Sequence, residues 1–310
     1  MIVAHADWGV DPRKQWVAVA KQDGQGLWSA SAPLPAKQVG SLRDRLRVDR
    51  SADTAVLGFD FPIGIPRAYA TAAEVTSFVA LLSECGEGVW CDFFKVADAP
   101  GEISLQRPFY PRTFLPKGAK RQVHLTHALG LQFGALRRRC EERRPGRRAA
   151  CPLFWICGPN QVGKGALEGW RLFKEEASSD TRYWPFDGPL GELTDRPGTV
   201  VMETYPAEMY DHLGMEAVIG KGNQTERRRC GETLLATAQV LDVRLEGKLE
   251  NDIREGFSAD DDAFDAVVGL FGMLNVLVGR RSEGTPEDRS VKEVEGWMLG
   301  QLTPQAAPAS

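Results

Sequence analysis

Five acidic side chains stand where a carboxylate is hard to accommodate. Asp7 closes the apolar run Ile2-Val3-Ala4-His5-Ala6, Asp60 lies between Phe59 and Phe61, and Glu203 follows Val200-Val201-Met202. Asp262 and Asp265 open a segment, Ala263 to Val278, that is apolar almost all round. Their three-residue spacing puts both on one face of a helix, near its N-terminus. A buried carboxylate needs compensation, and for any single one a salt bridge or a helix cap supplies it. Five spread over several elements ask for something shared. Strands of one sheet bring their ends together, and converging carboxylates without an equal number of cations nearby in sequence call for a divalent ion. Hard oxygen donors select Mg²⁺ or Mn²⁺. Two such ions about 4 Å apart can activate a water and stabilise the leaving oxygen of a phosphodiester. The expected metal ligands are Asp7, Asp60, Asp262 and Asp265. Glu203 is a fifth catalytic candidate, which either joins them or orients a neighbour.

The elements that must position these acids follow from periodicity. Ile2–Asp7, 15–20 and 26–30 read as three short strands with turns at Asp11-Pro12 and Asp23-Gly24, an antiparallel meander. Helical spacing follows over 36–48. Val56 to Phe61 is a near-continuous apolar strand, of the kind buried on both faces in a mixed or parallel sheet. It stops at Pro62-Ile63-Gly64-Ile65-Pro66, where two prolines forbid further ladder bonding. A helix is expected over 71–84, an irregular excursion over 92–122, a helix over 123–144 and a strand over 152–157. Regular order returns with a strand over 199–205 and helices over 206–213, 225–242 and 261–279. The expected fold is α/β, a mixed sheet of three antiparallel and then parallel strands flanked by helices. It forms a single domain over 1–302, with a large insertion at about 85–195 and a disordered tail over 303–310.

Strand–strand–strand–helix–strand, with an acid on the first and fourth strands and a closing helix of D-x-x-D-A type, resembles the ribonuclease H-like nucleases. More closely, four segments are similar to the family called domain of unknown function 429. They are Ala6-Asp7-Trp8-Gly9, Gly58-Phe59-Asp60-Phe61-Pro62-Ile63-Gly64-Ile65-Pro66, Glu203-Thr204-Tyr205-Pro206-Ala207-Glu208 and Asp261-Asp262-Ala263-Phe264-Asp265-Ala266. The resemblance runs from about residue 3 to 280 with an interruption in the middle. It implies a ribonuclease H fold and a metal site for nucleic-acid hydrolysis, and it supplies no substrate.

Other signals compete. Gly158-Pro159-Asn160-Gln161-Val162-Gly163-Lys164-Gly165 nearly spells a phosphate-binding loop, but Gly165 stands where Ser or Thr would hold Mg²⁺ and Pro159 lacks a backbone donor. It reads as a nucleotide-hydrolase loop, as a glycine-rich turn whose Lys164 touches a substrate phosphate, or as a plain turn. Residues 137–148 carry seven Arg and two Glu, which suits either a phosphate backbone or a solvated helix end. Lys221, Arg227 and Arg228 surround a helix start and either neutralise phosphate or pair with the acids. His124 and His127 lack a third ligand nearby in sequence and read as structural. None of the six Cys forms a C-x-x-C pair, so they read as small buried hydrophobes kept reduced.

Composition sets the outer bounds. A 43% hydrophobic, 26% charged chain with 14 Phe and 8 Trp is built to fold around a core. A net charge of −4 excludes a basic nucleic-acid coat protein. No apolar run reaches the roughly 20 residues of a membrane span, and the first residues lack a basic segment before Asp7, so a cytoplasmic protein is expected. Two rivals to a nuclease remain: a catalytically silent binding protein of the same fold, and a nucleotide hydrolase using 158–165.

Overall fold

A computed structural model describes residues 1–9, 11–36, 54–111, 121–144, 147–158, 161–215, 222–258 and 261–303. In chain order the strands are β1 (Ile2–Asp7), β2 (Trp16–Gln22), β3 (Trp28–Pro35), β4 (Thr54–Phe59), β5 (Thr181–Tyr183), β6 (Gly198–Glu203) and β7 (Val243–Leu245). The α-helices are α1 (Arg67–Ala72), α2 (Phe78–Glu84), α3 (Arg121–Leu129), α4 (Gly163–Glu176), α5 (Leu190–Thr194), α6 (Pro206–His212), α7 (Gln224–Val240), α8 (Leu249–Arg254) and α9 (Asp261–Leu277). The chain divides into two compact units. The first comprises Met1–Asp60, Ser178–Pro286 and Met298–Ser310, and the second Phe61–Ala177 and Glu287–Trp297.

All seven strands belong to the first unit and form one sheet in the order β5-β6-β4-β1-β2-β3-β7. β1–β2 and β2–β3 pair antiparallel; β1–β4, β4–β6, β5–β6 and β3–β7 pair parallel. β1 and β6 are buried throughout and β4 beyond its first residue, as continuous apolar runs predict, whereas β2 and β3 mix buried and exposed positions. The mixed sheet flanked by helices is therefore the one expected.

One face of this sheet is covered by α9. Gly269 lies so near the fully buried His5 ring that a Cβ there would stand 2.2 Å from His5 Cε1. Only glycine lets this helix approach β1 so closely. One turn on, Met273 packs over Gly58 of β4, the residue in register with His5, and Gly272 lies against Met209 of α6. Among the described residues no helix is long and apolar enough to cross a membrane.

The second unit is held by aromatic packing and one ionic node. Trp170 of α4 is fully buried, with Phe78, Phe93 and Phe109 around it, and its indole N–H donates to the Pro62 carbonyl at 2.8 Å. Arg138, also fully buried, meets Glu141 at 2.9 Å and donates to the carbonyls of Ile63 and Glu295. Arg139 pairs with Glu295 at 2.7 Å and Asp288 at 2.9 Å. Gly64 presses on the Glu295 carbonyl with a φ of +136°, and a Cβ there would stand 2.1 Å from that oxygen. The Gly in Pro62-Ile63-Gly64-Ile65-Pro66 is thus fixed by packing.

Several expectations are corrected. Residues 152–157 are not a strand: Leu153 and Phe154 lie in a turn, and only Trp155 bridges Tyr110. The helix expected over 71–84 is two short helices, parted where Glu74 takes a φ of 56° and Ser77 caps α2. The one expected over 123–144 ends at Leu129, where Gly130 adopts a φ of +66°, and two 3₁₀ turns follow. The mid-chain unit begins at Phe61 and ends at Ala177, earlier at both ends than 85–195, and regains 287–297. The Arg-rich segment is not a helix end, and five of its arginines are engaged by the protein itself. Besides Arg138 and Arg139, Arg137 donates to the Ala150 carbonyl, Arg144 lies over the Trp297 ring and Arg147 donates to the Cys140 carbonyl. Arg143 and Arg148 are exposed. The helix expected over 36–48 lies outside the described residues, as does the tail from 304 on.

Candidate active site

Asp7 ends β1, and Asp60 immediately follows β4. These strands are parallel neighbours in which Ala6 registers with Phe59, so Asp7 and Asp60 form the next row. Both stand at carboxyl ends of parallel strands, where open α/β sheets bind ligands. Asp60 bends toward β1, its Oδ1 accepting the Trp8 backbone N–H at 2.7 Å.

Side chains alternate along a strand, so Asp7 shares a face with His5, the face covered by α9. Burial holds the His5 pKa down at about 3, opposed only in part by the Ala266 carbonyl. The ring is neutral at ordinary pH and offers Asp7 no positive charge. On α9, Asp265 is 4% exposed, and its Oδ1 accepts a hydrogen bond from the Tyr210 hydroxyl of α6 at 2.5 Å. The Tyr210 ring stacks on Phe264 with centroids 6.2 Å apart. Burial first, then the charge of Asp265 and its hydrogen bond, and more weakly the charges of Cys230 and Asp7, push the Tyr210 pKa far up. That hydroxyl therefore stays a donor. Asp262 is half-buried in the first turn of α9.

Glu203 does not join this row. Glu203 registers with Phe59 across β4 and β6, and Phe59 with Ala6, so its side chain leaves the face opposite Asp7. It is buried there at 3% exposure, its carbonyl accepting from Leu299 N–H. The fifth carboxylate thus does not join the Asp7 row. Lys164 sits in the first turn of α4, in the second unit. Its segment lacks the strand–loop–helix setting of a phosphate-binding loop, because the turn at 153–154 precedes it and Gly163 packs on the Leu153 carbonyl. Lys221 lies outside the described residues. Arg228 is exposed, its Nε donating to the Glu255 carbonyl at 3.1 Å. His124 bonds to the Tyr110 hydroxyl at 3.0 Å, a structural role as expected.

Tyr210 is the residue sequence reasoning missed. It lies two residues beyond Glu208, the last residue of Glu203-Thr204-Tyr205-Pro206-Ala207-Glu208, in a helix whose buried positions include Met209. The spacing marks a core aromatic, and nothing local signals a carboxylate 55 residues away.

Among the described residues no three His, Cys, Asp or Glu side chains stand together as a metal cage. The donor set nevertheless suits Mg²⁺, which is commonly bound by one or two carboxylates and completed by waters and substrate phosphates. Adjacent acids at the ends of β1 and β4, bearing only hard oxygens, meet that requirement. Compared with protein-family models, curated proteins and solved structures, the chain shows no match to any of them.

Proposed function

We propose that the first unit is a Mg²⁺- or Mn²⁺-dependent phosphodiester hydrolase of ribonuclease H-like fold, acting on nucleic acid. One observation carries this reading: Asp7 and Asp60 occupy neighbouring carboxyl ends of the parallel strands β1 and β4. The topology supports it, since β1–β2–β3 is an antiparallel meander and β4 and β6 extend the sheet parallel to β1. The sequence resemblance at residues 6–9, 58–66, 203–208 and 261–266 points the same way. Asp7 and Asp60 would hold the ion, with Asp265 and Asp262 completing the acidic wall.

A bound divalent ion would lower the pKa of an attacking water and stabilise the departing oxygen. The protein's own part is positional. The Trp8 N–H fixes one oxygen of Asp60, neutral His5 keeps the neighbourhood of Asp7 free of a competing cation, and the sheet sets the separation of the two acids.

The test pairs the purified chain with labelled single- and double-stranded DNA, RNA and hybrid substrates, with and without Mn²⁺. Cleavage that needs the ion and falls by about 10²-fold or more in Asp7→Asn is expected, in line with loss of a metal ligand. Mn²⁺ binding without cleavage of any substrate would favour the catalytically silent binding protein. Neither binding nor cleavage would end the metal reading.

A further inference from the structure

Resting on that reading of the site, we propose that Thr204 is a further positioning residue in it, its hydroxyl accepting a hydrogen bond from a water carried by the cation. Thr204 directly follows Glu203, the last residue of β6, and its backbone N–H donates to the Phe59 carbonyl at 2.8 Å. That bond continues the parallel pairing of Glu203 with Phe59 by one residue, so Thr204 stands beside Asp60. Asp60 in turn stands beside Asp7, and the sheet order β6-β4-β1 makes the three a single row across adjacent carboxyl ends. Alternation turns Thr204 away from the face of Glu203 and onto that of Asp7. The position of its methyl agrees: Cγ2 would lie 2.8 Å from a Cβ on Gly58, on the side where Met273 of α9 packs.

Thr204 is the neutral member of this row. It is 1% exposed, yet among the described residues its hydroxyl oxygen has no hydrogen-bond partner. A hydroxyl buried in this way is costly, and a chain that only had to fill the space would do better with Val, which has the same shape. The methyl branch already meets the packing toward Gly58. What the hydroxyl adds is an oxygen that accepts and a proton that donates. Mg²⁺ keeps several waters when one or two carboxylates hold it. Strands about 4.8 Å apart put Thr204 one strand from Asp60 and two from Asp7. That span suits a bridging water better than a direct bond to an ion shared by the two acids.

The experiment measures Mn²⁺ affinity by titration calorimetry, without substrate, and urea stability in metal-free buffer. It compares wild type with Thr204→Val, Thr204→Ser, Thr204→Ala and Asp7→Asn. Thr204→Val keeps the shape and removes the hydroxyl. It should raise the urea midpoint, because an unpartnered buried polar group is gone, while weakening Mn²⁺ binding about 10–100-fold, the usual effect of losing a partner behind the ligands. Thr204→Ser keeps the hydroxyl and should hold affinity within about threefold of wild type, despite a lower urea midpoint from the lost methyl. Thr204→Ala lacks the methyl too, so it should bind about tenfold or more weakly than Thr204→Ser, which isolates the hydroxyl even if Thr204→Val does not fold. Wild-type affinity in folded Thr204→Val, or equal affinities in Thr204→Ser and Thr204→Ala, would overturn the inference and leave the metal site standing. Wild-type protein that binds no Mn²⁺, or Asp7→Asn that binds it as wild type does, would overturn the site and the inference together.

Discussion

Lowering the pH from 7.5 to 5.5 should destabilise the first unit, and two buried imidazoles set the size of the effect. His5 is fully buried under α9, and His212 is 9% exposed with Gly300 against its ring. Burial depresses both pKa values to about 3, the nearby Arg281 charge adding to the depression at His212. In the unfolded chain each titrates near its ordinary value of 6.5. Above pH 6.5 neither state binds these protons and stability is full. As pH falls through 6.5 the unfolded chain takes up two protons that the folded chain refuses, and stability falls until about pH 3, where the folded imidazoles protonate. From pH 7.5 to 5.5 a site of unfolded pKa 6.5 loses about 1.4 kcal/mol, so the pair loses about 2.7 kcal/mol, a large share of a typical domain's stability. Most carboxylates stay ionised in this window, which isolates the histidines. The assay is urea unfolding followed by circular dichroism at four pH values, for wild type, His5→Gln and His212→Gln. Each variant will start from a lower stability, but its pH slope should be about half that of wild type. A flat wild-type profile, or variants that keep the whole slope, would refute the reasoning.

Two further perturbations probe the packing around each unit's central contact. Gly269→Ala gains about 1 kcal/mol of helix propensity, but drives a Cβ to 2.2 Å from a buried ring that has no room to yield. Net destabilisation of about 1–3 kcal/mol in urea is expected, while Gly191→Ala in α5, where a Cβ meets nothing within 4 Å, should be neutral or stabilising. Arg138→Met leaves Glu141 buried at 1% exposure without its guanidinium. It should cost about 3–5 kcal/mol, of which Arg138→Met with Glu141→Gln recovers the greater part; equal losses in the single and double variants would show that the charge pair is not what stabilises the node.

Some of this was legible in the sequence, and the line between legible and hidden has a physical cause. β1, β4, β6, α7 and α9 were readable because each is a long run of one period, and local pattern governs such runs. Asp7, Asp60 and Asp265 stood out because an acid in such a run is costly wherever the chain goes. Glu203 stood out for the same reason but on the wrong face. Its parity relative to Asp60 depends on the β4–β6 register, in which Phe59 and not Asp60 is its partner, and a register shift of one residue reverses the face. The arginines of 137–148 looked solvated because two of their acids, Asp288 and Glu295, lie about 150 residues away in sequence. Tyr210 stayed hidden for the same reason.

What unites the packing and the candidate chemistry is a single strand–helix contact. His5 and Gly269 are the point where α9 touches β1, and Asp7 and Asp265 lie close to that point on their respective elements. Two residues along a strand span about 7 Å and four along a helix about 6 Å, so the acids stand at matched distances from the contact. The buried, neutral imidazole and the missing Cβ set the spacing between helix and strand. They fix how near the helix can approach β1. A histidine left uncharged beside an acid, at a cost in acid stability, is the sort of local inconsistency that functional sites tolerate. On the proposed metal site, Gly269→Ala should weaken Mn²⁺ binding as well as the fold, because the displacement of α9 that relieves the His5 clash also moves Asp265, the expected ligand on that helix.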